Sequence, residues 1–195
     1  MTILGISAGF HDAAISVVDN KGQILFAGHS ERYSKLKHDS GISTDLLKEV
    51  ESLNVTQIAY YERPWLKQIR RLYAGQGFDF RELTAKQAIV NQLGIDYKNF
   101  RGKIKSYSHH QSHAAAGFQT SPFTRATVVV IDAVGEFDTI SIWAAEYNHM
   151  GAAIYKLLWR QIYPHSIGMF YSAATKQVGL HPMDEEYILM GMAPY

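Results

Sequence analysis

Three histidines fall within five residues in the stretch Ser108-His109-His110-Gln111-Ser112-His113-Ala114-Ala115-Ala116. On a helix, residues four apart lie on one face, so His109 and His113 can turn two imidazoles toward one ion. His110 projects about 100° away and can instead pair with His113, three residues on. Two imidazoles and a carboxylate suit a divalent cation such as iron or zinc. Asp132 is the natural third ligand: it closes the apolar run Thr127-Val128-Val129-Val130-Ile131, where an unpaired carboxylate is costly. The plainer explanations are a capped helix start with incidental histidines and a turn-capping aspartate. The chain has no cysteine, so disulfides, thiolate metal sites and a cysteine nucleophile are all excluded.

Two loops add further candidates. In Ser7-Ala8-Gly9-Phe10-His11-Asp12, Gly9 allows backbone N–H groups to approach an anion closely. His11 can donate to a phosphoryl oxygen or carry a proton near neutral pH, and Asp12 stands beside it. The second loop, Asp132-Ala133-Val134-Gly135-Glu136-Phe137-Asp138, repeats the glycine-and-acid pattern with Gly135 and Glu136. Between them lies the charged run Glu31 to Asp39, in which Arg32 and Lys37 could clamp a phosphate. Its plainer explanation is a solvated loop.

The elements that must position these residues follow a repeated order. Residues 3–7, 13–19 and 23–28 are expected to be strands, the last two joined by the turn Asn20-Lys21-Gly22. A helix is expected after the cap Ser43-Thr44-Asp45, carrying Leu46, Leu47, Val50 and Leu53. A strand over 57–61, helices over 65–74 and 84–93 (the latter ended by Gly94), a strand over 103–107 and a helix over 109–118 complete the first set. The pattern then restarts, with strands over 127–132, 139–147 and 152–159 and a helix over 167–178. Two β-meanders followed by helices point to the duplicated α/β architecture of the actin/hexokinase/Hsp70 type, an RNase H-like fold of βββαβα lobes. In that architecture the two hairpin loops face each other across a nucleotide cleft. The expected division is 1–120 for a first lobe and 121–195 for the beginning of a second, incomplete one.

Composition bounds the rest. Of the 195 residues, 47% are hydrophobic and 19% charged, enough to pack a core. Nineteen Lys+Arg balance 18 Asp+Glu, which argues against binding nucleic acid through bulk charge. No apolar run approaches the roughly 20 residues that span a bilayer, and the first residues carry no basic leader. The expectation is a cytoplasmic protein with no membrane contact.

Taken together, these residues resemble the NodU/CmcH O-carbamoyltransferases. The matching stretches are Gly5-Ile6-Ser7 with His11-Asp12-Ala13-Ala14, Ser30-Glu31-Arg32 with Lys35 to Asp39, and His109 to Ala115. Ser121-Pro122-Phe123, Ile131 to Glu136, Ser166-Ile167-Gly168 and Tyr187 to Tyr195 follow in the family's order. The resemblance implies transfer of a carbamoyl group from carbamoyl phosphate, by way of ATP and carbamoyl-adenylate, to the hydroxyl of a small-molecule acceptor. It implies an N-terminal part similar to the universal tRNA threonylcarbamoyladenosine transferase and a C-terminal adenylating part, here expected in cis or from a partner in trans. Carried over, His109 and His113 would hold the metal, Asp132 would ligate it or orient its ligands, and His11 and Lys37 would meet the carbamoyl donor or its leaving phosphate. Where the family commonly has Gly after the second-loop aspartate, this chain has Ala133. Two other expectations stand beside this one. An ATP-dependent sugar or acid kinase or ATPase shares the duplicated loops, although phosphoryl transfer has no need of the histidines. A non-catalytic interaction module would use exposed strand edges to form homo-oligomers.

Overall fold

Alternation of apolar and small polar residues sets the first strands. Leu4 and Ile6 of β1 (Ile3–Ser7) and Ile15 and Val17 of β2 (Ala14–Val18) are buried, while their neighbours are less so. Asp19 bends the chain after β2: its Oδ1 accepts from the N–H groups of Lys21 (2.8 Å) and Gln23 (2.9 Å). Gly22, at φ 79°, completes the reversal into β3 (Ile24–His29). The structure, a computed structural model, describes residues 1–10, 12–93 and 102–194.

Short helices α1 (Ser30–Ser34) and α2 (Thr44–Lys48) follow, the second capped by Ser43 accepting from the Asp45 N–H. The longer helix expected here stops at Lys48, because Val50 and Leu53 donate to carbonyls three residues back in tight turns. Both still face the core. Then come β4 (Gln57–Tyr60), α3 (Pro64–Tyr73), a 3-10 turn (Phe80–Glu82), α4 (Ala85–Leu93) and β5 (Lys103–Ser106). Gly94, expected to end α4, lies outside the described residues.

The five strands form one sheet in the order β3-β2-β1-β4-β5. β2 is antiparallel to β1 and β3, whereas β4 runs parallel to β1 and β5 parallel to β4. An antiparallel meander extended by parallel strands is the RNase H-like lobe of the actin-type fold. Its consequence for function is direct: β1, β4 and β5 all end on the same side of the sheet, with Ile6 beside Tyr60 and Tyr60 beside Ser106.

The second meander comprises β6 (Arg125–Gly135), β7 (Asp138–Tyr147) and β8 (Ala153–Ile162), antiparallel throughout and in that order. Helix α5 (His109–Gln119) precedes it, and α6 (Ile167–Gln177) and α7 (Glu186–Met192) follow. Compact units span Met1–His109 and His110–Tyr195. Helix α5 packs Ala114 on Val130 and Trp143 and sets Phe118 against Tyr147 and, edge-on, against Tyr155.

One element differs in kind. The stretch 133–136, expected to be a loop, is mostly strand: β6 continues to Gly135, which pairs with Asp138. The register shifts between Ile131 and Gly135, so Asp132 lies in an irregular stretch within the strand and not at its end. The reversal is tight, with Glu136 at φ 58°.

Candidate metal centre

The parallel pairing of the first sheet brings two titratable side chains to its C-terminal edge. Glu62 follows β4 and His109 follows β5. Glu62 is 4% exposed, and a buried carboxylate needs partners. Its Oε1 accepts from Lys67 Nζ at 2.9 Å, and its Oε2 lies 3.9 Å from His109 Nδ1. Burial pushes the Glu62 carboxyl up, but the His109 ring and the Lys67 ammonium together outweigh that and hold it below its ordinary range. The Tyr61 ring meets the His109 ring edge-on, with centroids 5.4 Å apart.

Within the second unit, α5 presents two histidines to different surroundings. His110 is fully buried, and its Nδ1 shares a 2.7 Å hydrogen bond with Ser141 Oγ. That oxygen also accepts from Trp143 Nε1 at 2.7 Å. His110 and His113 meet ring edge to ring, 6.5 Å between centroids. The core hydrogen bond to β7 engages the Nδ1 side of the His110 ring. His113 is half exposed, and its Nε2 stands 3.8 Å from Asp132 Oδ2. His109 lies one helical turn before His113, on the same face of α5.

Asp132 is held from behind by α6. Ser166 caps that helix, accepting from the Met169 N–H (3.0 Å) and donating to the carbonyls of Asp132 (3.1 Å) or Ala133 (2.6 Å). A Cβ on Gly168 would come within 2.7 Å of Ala133 N and Cα and of the Asp132 carbonyl oxygen. Glycine at 168 is thus what lets the helix start seat against the Asp132–Ala133 backbone.

The remaining candidates are spread over both units. His11 lies outside the described residues. Gly9 has φ 93°, and its N–H donates to the Ser40 carbonyl at 2.9 Å. Asp12 has φ 56° and lies 3.8 Å from His38 Nδ1. Asp12, Glu31 and His38 offer ligand atoms within 4.8 Å of one another, a grouping not anticipated from sequence. Left-handed turns at Lys35 and His38 create it, and Glu31 Oε1 accepts from the His38 N–H. Arg32 and Lys37 are exposed on and after α1. Gly135 and Glu136 are buried at the β6–β7 reversal. Sequence reasoning also missed Glu62. The available signal was an acidic residue directly after a buried strand, with Lys67 five residues on.

Comparison with known proteins agrees with the expected family. The model of the carbamoyltransferase N-terminus matches residues 62–195, more than half of the chain. The Synechocystis sp. protein sll1178 is 33% identical over 99% of this chain and 34% of its own length. Nodulation protein NolNO of Sinorhizobium fredii is 27% identical over 95% of this chain and 28% of its own. The chain thus spans about a third of the length of these curated relatives. YeaZ from Pseudomonas aeruginosa superposes with a TM-score of 0.45 at 16% identity, covering 84% of this chain and 69% of its own. At that score the fold rests on the strand order described above. No helix among the described residues is long and apolar enough to cross a membrane. From the family match across residues 62–195, the chain belongs to the carbamoyltransferases, within the region of their N-terminus.

Proposed function

We propose that this chain carries the acceptor-side metal site of an O-carbamoyltransferase, with His109, His113 and Asp132 as the protein ligands. The observation that carries the reading is the approach of His113 Nε2 to Asp132 Oδ2, at 3.8 Å, on the face of α5 that His109 shares. Two imidazoles and one carboxylate fit a divalent ion, iron or zinc, and leave positions open for substrate. When bound, the ion would supply Lewis-acid polarisation of a carbonyl or of a hydroxyl. The protein's own part is positional. The Ser166 cap and Gly168 fix the Asp132 backbone, and α5 fixes the spacing of the two rings. The reaction is transfer of a carbamoyl group to a substrate hydroxyl. Carbamoyl phosphate supplies the carbamoyl group, releasing phosphate, and ATP supplies the adenylyl group, releasing pyrophosphate. The carbamoyl-adenylate is formed by an adenylating domain in the same or a partner polypeptide, and AMP leaves as the hydroxyl takes the carbamoyl group. In the first unit His11, Asp12 and Lys37 are assigned catalytic roles toward the carbamoyl donor and Gly9 and Arg32 its binding; in the second unit Gly135 and Glu136 are assigned to nucleotide binding.

Elemental analysis of untagged protein tests the site. Near-stoichiometric iron or zinc in the wild-type chain, lost in His109→Ala/His113→Ala, is the expected result. Metal retained by the double variant would refute the ligand assignment.

A further inference from the structure

Glu62 has no part in the family resemblance described above, yet it is the most deeply buried carboxylate among the described residues. Each of its oxygens faces a different group: Oε1 faces the Lys67 ammonium at 2.9 Å, and Oε2 faces His109 Nδ1 at 3.9 Å. A carboxylate buried only to pair with Lys67 has no need to turn its second oxygen to a histidine ring. The Tyr61 ring closes on the same imidazole edge-on, which restricts its rotation.

We propose that Glu62 is a positioning residue for His109, holding the neutral imidazole as the Nδ1–H tautomer and leaving Nε2 as the atom offered to a ligand. The two ring nitrogens are distinct, and the partner of one decides which is free to bind. A carboxylate on the Nδ1 side favours the proton there, raises the basicity of Nε2 and sets the ring plane. At 3.9 Å the contact is longer than a hydrogen bond, and a modest swing of either side chain closes it. The fold explains the juxtaposition. Parallel pairing of β4 with β5 places Tyr60 beside Ser106, so the residues just beyond each strand emerge together. The role proposed for Nε2 rests on the metal reading above, whereas the tautomer itself does not.

The experiment is therefore run first without metal, on the full chain. Nitrogen-15 NMR of the histidine rings, with His109 assigned by its loss in His109→Ala, reports the tautomer directly. The Nδ1–H form should dominate in the wild-type protein at pH above the His109 titration and give way to a mixture in Glu62→Gln. Lys67→Met removes the other partner of Glu62 and should leave the tautomer unchanged. It also keeps the test alive should Glu62→Gln fail to fold. An Nε2–H form in the wild type would overturn the proposal, as would an unchanged tautomer in Glu62→Gln or a lost one in Lys67→Met. Zinc affinity, measured by chelator competition, gives the second readout: about 10–100-fold weaker in Glu62→Gln and unchanged in Lys67→Met. Wild-type protein that takes up no zinc but keeps the Nδ1–H form would sink the metal reading and leave the positioning role standing.

Discussion

The two meanders begin alike and end differently. In the first, the connection after β1 is a broad loop stitched to the segment beyond α1: Gly9 N–H donates to Ser40 O, and Ala13 N–H to Asp39 O. In the second, the strand runs on to Gly135 and reverses at once, so its acidic residue Asp132 belongs to the strand and is braced by α6. Their packing differs as well. The first sheet buries Leu4, Ile6, Ile15, Val17, Ile58 and Tyr60 in one extensive cluster. The second has a small cluster of Ala114, Val130 and Trp143, and leaves Val129 at 55%, Ile131 at 58% and Trp159 at 48% exposure. A repeated strand pattern therefore reproduces backbone order while the chemistry at each tip is set by what packs behind it.

The strongest way to break this comparison is Phe118→Ala. Phe118 fills the space between α5 and the second sheet, and its truncation should cost about 3–5 kcal/mol. Hydrogen exchange should show the loss confined to α5 and β6 to β8. Loss of protection in β1 and β4 as well would mean that the two cores do not behave as separate units.

A matched pair of glycine substitutions sharpens it. Gly168→Ala drives a Cβ into the Asp132–Ala133 backbone, and Gly28→Ala drives one into Leu46 Cδ1 and the Phe26 ring. Each should lose about 1–3 kcal/mol by overpacking, seen as a lower denaturant midpoint. Only Gly168→Ala should also weaken zinc uptake, because only there does the strain fall on the Asp132 backbone. Equal zinc affinities in the two variants would show that α6 does not hold the ligand in place.

The smallest effect is expected at Asp138. Burial raises its carboxyl above the ordinary range, with Arg160 partly opposing, and Arg160 Nη1 stands 3.6 Å from Oδ1. The folded state thus binds this proton more tightly than the unfolded chain. The site costs stability at neutral pH, and that cost is relieved as pH falls from the raised folded value to the ordinary one. Asp138→Asn should raise the unfolding midpoint at pH 7 and leave it unchanged below the usual carboxylate range. The reverse pattern would mean that the Arg160 pair outweighs the burial.

What the sequence revealed of the site follows from the range of each interaction. The His109/His113 pair was legible because four-residue spacing on one helix is local. The first meander was legible because its alternation of buried and open positions is local too. Glu62 was not, because it reaches His109 only through the parallel pairing of β4 with β5. The core hydrogen bond of His110 was not legible either, because its partner Ser141 lies thirty-one residues on. The irregularity that keeps Asp132 inside β6 depends on the pairing of Gly135 with Asp138, and no composition signal marks it.

X-ray absorption on the zinc-loaded chain tests the central claim most directly. The account predicts scattering from two imidazoles together with oxygen ligands in the wild-type protein, and from one imidazole in His113→Ala. A zinc shell without imidazole scattering, or one unchanged by His113→Ala, would contradict it.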